Sequence, residues 1–300
     1  MTEFLDDTSD KMTRSYRIEH STTYKYSDSV STSFGRGHLH PREFAGQRCL
    51  QHRLIVEPAP SDQAEDVDVY GNVGAYFHVT DPHTVLRVTG HSDVEVTAVE
   101  FDPAVTGAPW EGARPSGTND PRAVEFTLAS PLVKMFPQIK EYADISFTPA
   151  RPIREAVEDL THRIHTEFKY GHGATSVNST VVDVLEAKKG VCQDFAHLAV
   201  ACLRSVGLAG RYVSGYLATR PPPGKPRMIG ADASHAWAAV RLADSSWLNF
   251  DPTNDTFIDE RFTTVAWGRD YDDVAPLRGV IYTDAKKREM DVAVDVAPLP

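Results

Sequence analysis

The second half of the chain contains a cysteine, a histidine and an aspartate in an order that suits covalent chemistry on amide bonds. They lie in the motifs Gly190-Val-Cys-Gln-Asp-Phe-Ala-His197, Ser234-His-Ala-Trp237 and Phe250-Asp-Pro-Thr-Asn254. A thiol nucleophile needs an imidazole as base and acid, and a carboxylate that orients the imidazole. The pattern predicts acyl transfer with Cys192 as nucleophile, His235 as base and acid, and Asp251 as the orienting group.

Cys192 follows a glycine-marked break and precedes an apolar pattern of helical period over residues 193–206. We therefore expect it in the first turn of a helix, where unpaired N–H groups and the helix dipole stabilise a thiolate. Its backbone N–H is the predicted donor to the oxyanion that forms during attack. The other cysteines, Cys49 and Cys202, are interpreted as small buried apolar residues.

A hairpin is expected to bring His235 and Asp251 together. Residues on one face of paired strands keep their parity through the turn. A three-residue turn that pairs Leu242 with Ser246 would place Thr253 opposite His235, with Asp251 as a diagonal neighbour at roughly 7–8 Å between backbones. The hypothesis therefore predicts an odd-length turn, or a bulge, between the two strands.

Three neighbouring residues are expected to support the site rather than to react. Trp237 follows His235 by two positions and its indole would shield the imidazole from water. His197 lies five positions after Cys192 and so points about 140° away around the helix. Asp194 is interpreted as a first-turn carboxylate that the helix dipole favours.

Two further clusters have alternative interpretations. Asp270, Asp272 and Asp273 form either a solvated or hydrogen-bonded loop, or a rim that recognises a cationic or amine-bearing substrate. His162 and His165 lie three positions apart on a predicted helix, but the sequence indicates no third metal ligand and favours a solvated face. No segment has the spaced carboxylates of a calcium loop, and neither metal nor other cofactor is expected.

The elements that must position these residues divide the chain into two predicted domains. The first is rich in β-branched and aromatic residues, with strands predicted at residues 16–26, 67–69, 76–79 and 86–96. Turn residues between them favour an antiparallel, β-sandwich-like domain. Residues 101–121 lack apolar periodicity and are interpreted as a linker. We predict a β-rich domain with its linker at residues 1–120 and a second domain at residues 121–300.

The second domain is predicted to be α+β. Helices are expected at residues 153–168, 180–187 and 193–206. A strand at residues 211–217, a Pro/Gly-rich loop at 220–233 and a hairpin of residues 235–242 with 247–251 follow. Gly207 is expected to end the cysteine helix.

Composition limits the classes of function. The 300 residues include 41% hydrophobic and 24% charged residues, which is typical of soluble globular proteins. A net charge of −11 repels phosphate backbones and anionic lipid surfaces, so neither nucleic acid nor membrane is an expected partner. Three cysteines without a CxxC pair indicate no disulfide framework and no zinc site. Reduced thiols and an acidic N-terminus without a signal-peptide pattern predict a cytoplasmic location.

At these motifs the chain resembles the transglutaminase-like superfamily, in particular its bacterial members regarded as cysteine proteases. The resemblance extends to further segments, namely Gly210-Arg-Tyr-Val-Ser-Gly-Tyr216, His40-Pro-Arg42, Asp68-Val-Tyr-Gly-Asn72, residues 16–26 and Gly268-Arg-Asp-Tyr-Asp-Asp-Val-Ala-Pro276. It implies a papain-like core, with the cysteine helix packed on an antiparallel sheet, after the family's β-rich N-terminal domain. It also implies the nucleophile at Cys192, the imidazole at His235 and the carboxylate at Asp251.

Three functional hypotheses follow. The first is a thiol hydrolase that cleaves peptide, isopeptide or glutamine-type amide bonds through a thioester on Cys192. The second is a true transglutaminase, in which a primary amine rather than water resolves the thioester. The third is a module that binds peptides without catalysis, against which the complete set of three residues argues. All three imply a protein or peptide partner, and the sequence leaves the oligomeric state open.

Overall fold

The computed structural model describes residues 12–115, 121–171, 180–219 and 234–299. Strands in these residues are β1 (Thr13–Gly37), β2 (Gln47–Glu57), β3 (Asp62–Val67), β4 (Val73–Val79), β5 (His83–Thr97), β6 (Lys169–Tyr170), β7 (Lys189–Gly190), β8 (Gly210–Leu217), β9 (Ser234–Arg241), β10 (Trp247–Asp251), β11 (Thr256–Phe257), β12 (Phe262–Gly268), β13 (Arg278–Thr283) and β14 (Arg288–Pro298). Helices are α1 (Pro103–Thr106), α2 (Pro121–Glu125), α3 (Pro137–Asp144), α4 (Ile153–Glu167), α5 (Val181–Ala187), α6 (Cys192–Ser205) and α7 (Tyr271–Val274), with a short 3-10 helix at Trp110–Ala113.

The N-terminal part is built around the long strand β1. Its alternate residues Tyr16, Ile18, His20 and Thr22 are buried, which is the period expected of a strand with one covered face. The strand order is β2-β5-β1-β4-β3, and β13 and β14 also pair with β1. The predicted β-rich N-terminal fold is confirmed, and hydrogen bonds join its seven strands into one sheet.

The last two strands correct the predicted domain division. Strand β14 pairs antiparallel with β1 in continuous register from Tyr16↔Pro298 to Tyr26↔Arg288. Val294 and Val296, each 1% exposed, join the same core cluster as buried residues of β1. Residues 278–298 therefore belong to the N-terminal sheet and not to a separate unit at 121–300, because they cover a strand edge that would otherwise be open.

The segment interpreted as a linker is largely folded and packed. Asp102 caps α1 by accepting a hydrogen bond from Ala104 N at 2.8 Å, with Pro103 at the start of the helix. Trp110 is 5% exposed, packs against Phe147 at 5.5 Å and donates from Nε1 to a backbone carbonyl at 2.8 Å. A single large aromatic ring thus anchors a segment whose composition is typical of a linker; residues 116–120 lie outside the described ranges.

This packing predicts a large loss of stability when the ring is removed. We expect Trp110→Ala to lower the free energy of unfolding by about 3–5 kcal/mol, because it leaves a cavity in the main core. Val99→Ala, at a side chain 47% exposed, is the matched control and should change it by less than about 0.5 kcal/mol. Urea denaturation measures both; equal, small effects would show that the segment is a linker after all.

The second sheet carries His235 and Asp251, two of the three predicted catalytic residues. Its order is β11-β10-β9-β8-β12, and it is antiparallel at every pairing. The side chains of strand β9 alternate between the two faces of the sheet. Ala236, Ala238 and Val240 pack in the main core with the helices, whereas Trp237 packs with Phe262 in a separate cluster. The small alanines allow α6 to lie close to the sheet, and the predicted papain-like core is confirmed.

Helix α6 is buried on nearly all sides. It contacts α3, α4 and α5 as well as strands β8 and β9. All three predicted helices are present with ends within one residue of those expected, and Gly207 follows α6 with a positive φ of 83°. The predicted loop at residues 220–233 lies outside the described ranges. None of the described helices is both long and apolar enough to cross a membrane.

Candidate active site

Cys192 is the first residue of α6, as predicted. Asp194 Oδ2 accepts a hydrogen bond from Val191 N at 2.9 Å and so satisfies a free donor at the helix start. Gly190 makes room for this carboxylate, because a Cβ there would lie 2.8 Å from Asp194 Cβ. Asp194 therefore holds the turn that presents the cysteine, in agreement with its interpretation as a first-turn carboxylate.

The backbone N–H of Cys192 is placed as a donor for an incoming oxygen. The hydrogen bonds of the helix begin with Phe195 N donating to Val191 O at 3.1 Å. Among the described residues, no partner occupies the N–H of Cys192, as expected at the first helical position. The side chain is half-buried at the margin of the main core. A carbonyl group above the sulfur would lie close to both the sulfur and this donor.

The hairpin has the geometry that the parity argument requires. Trp247 pairs with Arg241 and Phe250 with Ala238. Leu242 N donates to Ser246 O at 2.8 Å, which leaves a three-residue turn. The prediction of an odd-length turn is confirmed.

His235 and Asp251 meet across this hairpin. His235 Nε2 donates to Asp251 Oδ2 at 2.7 Å, and Asp251 is completely buried. The carboxylate also accepts from Thr253 N at 2.8 Å and from Asn254 Nδ2 at 2.6 Å. Three donors thus form hydrogen bonds to the buried carboxylate, and these bonds compensate for the water that burial removes from a charged group.

His235 lies between Asp251 and Cys192. Burial disfavours the imidazolium, but the hydrogen bond to Asp251, the neighbouring Cys192 and the charge of Asp251 raise the pKa of His235 to about 10. Since Nε2 is bonded to Asp251, Nδ1 is the nitrogen left for the sulfur. The ring is therefore protonated at neutral pH, between a carboxylate and a sulfur.

Aromatic rings form the wall behind the imidazole. Trp237 lies 6.2 Å from the His235 ring and Phe262 lies 6.1 Å from it, and the two aromatic rings meet edge to face at 5.5 Å. Trp237 is fully buried and its Nε1 donates to Asn249 Oδ1 at 3.3 Å. The rings exclude water from one side of His235, which is the role expected of Trp237.

Tyr170 is a neighbour of the site that the sequence analysis missed. Parallel pairing of β6 with β7 sets Tyr170 beside Gly190, two residues before the cysteine. Its ring packs edge-on against Phe195 at 6.3 Å and is 53% exposed. Burial, followed by the charges of Cys192 and Asp251, raises the pKa of Tyr170. A two-residue strand has too short a pattern for prediction, so the sequence carried no signal for this residue.

His197 supports the fold beside the site. It is 6% exposed, and its Nε2 accepts a hydrogen bond from Tyr271 N at 3.1 Å. Burial lowers the pKa of His197 to about 4, so the ring is neutral and able to accept. Its ring also lies 4.8 Å from that of Tyr212. His197 fastens α7 to α6, in agreement with the structural role expected of it.

The acidic cluster is bonded within the protein. Asp270 is completely buried, accepting from Asp272 N and from Leu132 N at 2.9 Å each. Asp272 pairs with Arg278, and Asp273 pairs with an arginine four positions before it. Burial and internal partners favour the hydrogen-bonded loop at Asp270, because a buried carboxylate with internal donors cannot meet an external cation. Asp272 is 39% exposed and pairs with Arg278, so the substrate-recognising rim stays a prediction at that residue.

The two histidines of α4 support the loop that follows Asp251. His162 Nδ1 bonds Asp255 Oδ2 at 2.7 Å, and His165 Nδ1 donates to Thr253 O at 2.9 Å. Thr253 is the residue whose N–H reaches Asp251. The predicted solvated face is thus also a contact between α4 and the candidate site.

The cysteine helix, the antiparallel sheet and the β-rich domain before them define one class of protein. Residues 141–252 match the model of the transglutaminase-like superfamily, and residues 16–95 match that of the bacterial transglutaminase-like N-terminal region. The chain belongs to the transglutaminase-like superfamily, which confirms the resemblance seen at its motifs.

Relatives match over nearly the whole chain. The uncharacterized protein Rv2569c of Mycobacterium tuberculosis is 50% identical over 293 residues, 95% of this chain and 93% of that protein. The uncharacterized protein ML0607 of Mycobacterium leprae is 34% identical over 288 residues, 94% of this chain and 98% of that protein. A crystal structure from Cytophaga hutchinsonii described as a "putative cysteine protease" has a TM-score of 0.77 at 20% identity, covering 96% of this chain and 92% of that one. This last likeness shows the fold.

Proposed function

We propose that the protein is a thiol-dependent hydrolase that cleaves peptide, isopeptide or glutamine-type amide bonds through a thioester on Cys192. The observation that carries the proposal is the hydrogen bond between His235 and the buried Asp251, with Cys192 at the start of α6 as a neighbour of His235. A fold likeness to a protein described as a putative cysteine protease is consistent with it. The substrate class is a protein or peptide.

In the first step, the Cys192 thiolate attacks the amide carbonyl carbon and forms the C–S bond. The displaced electron pair moves to the carbonyl oxygen, which the Cys192 N–H stabilises. The protonated His235 then gives its Nδ1 proton to the amide nitrogen as the C–N bond breaks. The amine leaves, and a thioester and a neutral imidazole remain.

In the second step, the neutral His235 Nδ1 takes a proton from water and the hydroxide oxygen attacks the thioester carbonyl carbon. The C–S bond breaks, the carboxylic acid leaves and the sulfur departs as a thiolate. His235 is again an imidazolium, stabilised by Asp251 throughout. Both proton transfers use His235 Nδ1, because His235 Nε2 is hydrogen-bonded to Asp251.

Tyr170 supports the choice of a protein or peptide substrate. Its half-exposed ring lies next to the helix start that presents the sulfur. An aromatic surface of this kind can pack against a peptide backbone or an apolar side chain while the polar edge remains in water.

A trapping experiment tests the proposed reaction. We expect acid-quenched mixtures of the protein with a library of peptide, isopeptide and glutamine-amide substrates to contain an acyl adduct on Cys192 by mass spectrometry. The matched control, Cys202→Ala, should retain the adduct because Cys202 is buried away from solvent. A fluorescent primary amine in the same mixtures reports the competing transfer.

The products distinguish the hypotheses. Release of free acid and amine in excess of amine incorporation supports the hydrolase. Incorporation that outpaces hydrolysis replaces it with a transglutaminase. Absence of both adduct and turnover across the library contradicts either enzyme and favours a peptide-binding module.

We also propose that the protein acts in the cytoplasm. Its three cysteines, all within the described residues, are unpaired, which suits a reducing compartment. Fractionation of cells followed by immunoblotting tests the location, and recovery in an extracytoplasmic fraction would contradict it.

A further inference from the structure

Two imidazoles and a carboxylate converge in the N-terminal domain, away from the sheet that carries His235 and Asp251. His40, His52 and Glu65 each offer one ligand atom, and these three atoms lie within 4.8 Å of one another. His40 follows β1, His52 lies in β2 and Glu65 in β3. Three separate elements therefore deliver nitrogen and oxygen donors to one point.

The spacing of this cluster fits a metal better than a direct ion pair. His40 Nδ1 lies 3.6 Å from Glu65 Oε1, beyond a good hydrogen bond. Nδ1 of His40 is shielded from water and has no hydrogen-bond partner. Two ligands on a tetrahedral Zn²⁺, each about 2.0–2.2 Å from the ion, stand about 3.4 Å apart. The observed separation is close to that value and would explain an otherwise orphaned nitrogen.

His52 is prepared for coordination by its other nitrogen. Its Nδ1 bonds Ser92 Oγ at 2.9 Å, which leaves Nε2 for the cluster. A partner on the second nitrogen of this kind orients metal-bound histidines.

The cluster is exposed enough for an ion to enter and leave, and for water to occupy a further coordination position on that ion. The His40 side chain is 27% exposed and that of Glu65 is 44% exposed. Strands β2 and β3 stand at the two ends of the order β2-β5-β1-β4-β3. An ion held by His52 and Glu65 would therefore bridge the two ends of that strand order.

We propose that His40, His52 and Glu65 form a binding site for a borderline divalent cation of the Zn²⁺ type, which fastens the N-terminal sheet. Two imidazoles and one carboxylate suit Zn²⁺ and related transition ions, whereas Mg²⁺ and Ca²⁺ prefer oxygen ligands. Water would complete the coordination.

Titration calorimetry with ZnCl₂ and the metal-free full-length protein tests the site. We expect one Zn²⁺ per chain, no binding of Mg²⁺ or Ca²⁺, and a Zn²⁺-dependent rise in Tm. Glu65→Gln and His52→Ala should each weaken Zn²⁺ binding at least tenfold and abolish the rise. Glu65→Gln changes an exposed side chain and keeps its shape, so it separates loss of binding from loss of folding.

Two further variants show whether Zn²⁺ binds at this cluster or at another histidine or thiol of the chain. His91→Ala is the matched control, because His91 lies in the same sheet 3.5 Å from Glu19 but outside the three-ligand cluster. It should bind Zn²⁺ like the unaltered protein, as should Cys192→Ala. Unchanged binding in Glu65→Gln, loss of binding in Cys192→Ala, or equal weakening by His91→Ala would each overturn the proposal. The hydrolysis assay does not enter these readouts.

Discussion

Cys192→Ala is expected to lower amide hydrolysis by about 10⁴-fold or more, the scale seen when a covalent nucleophile is removed. It should also abolish labelling by iodoacetamide near neutral pH. The reason is that only this sulfur lies at a helix start and next to an imidazolium. Intact-mass spectrometry after brief labelling measures the modification, and the hydrolysis assay measures the rate.

The other two cysteines provide the controls for this result. Burial raises the pKa of Cys202 to about 12 and that of Cys49 to about 11, so both remain unreactive thiols at neutral pH. Cys202→Ala and Cys49→Ala should therefore keep one rapid label per chain. Labelling of Cys192→Ala at the original rate would show that the reactive thiol is elsewhere.

Asp251→Asn is expected to reduce the hydrolysis rate by about 10⁴-fold while leaving the fold intact, as in other sites where a neutral amide replaces the orienting carboxylate. Asp251 is a main reason why the pKa of His235 rises to about 10 from an ordinary value of 6.5. Below its pKa the ring holds the proton that the leaving amine needs, and above it that proton is lost. The alkaline limb of the rate profile should therefore lie near pH 10 and move down toward 6.5 in Asp251→Asn.

A second aspartate in the same loop is the matched control. Asp255 bonds His162 on α4, and Asp255→Asn removes a similar charge without touching His235. It should leave both the rate and the position of the alkaline limb nearly unchanged. If Asp251→Asn loses rate with no movement of that limb, the carboxylate orients the ring but does not control its protonation.

The strongest agreement between sequence and structure is local. Apolar residues at helical spacing placed three helices to within one residue, since a long amphipathic segment repeats its signal several times. The register of one hairpin was enough to place Asp251 beside His235, because side chains along a strand alternate strictly between its two faces.

Disagreement arises where distant segments meet. The pairing of β14 with β1 joins residues about 270 positions apart, and no local pattern specifies which strand an edge will accept. Trp110 lies in a segment of linker-like composition, yet its ring and the buried side chains of its neighbours Thr106 and Ala113 pack the segment against the core. The cluster of His40, His52 and Glu65 has no motif spacing, and its strands β2 and β3 stand at opposite ends of the strand order, so only the folded structure reveals it.

Residue types and short-range periodicity were sufficient to single out Cys192, His235 and Asp251 as the candidate catalytic residues, since each stands near a recognisable end of a helix or strand. The burial of Asp251, the protonated state of His235 and the position of Tyr170 depend on packing between elements far apart in the chain. Solvent exclusion and electrostatic coupling depend on the distances between residues that only tertiary folding brings together, and the sequence does not specify those distances directly.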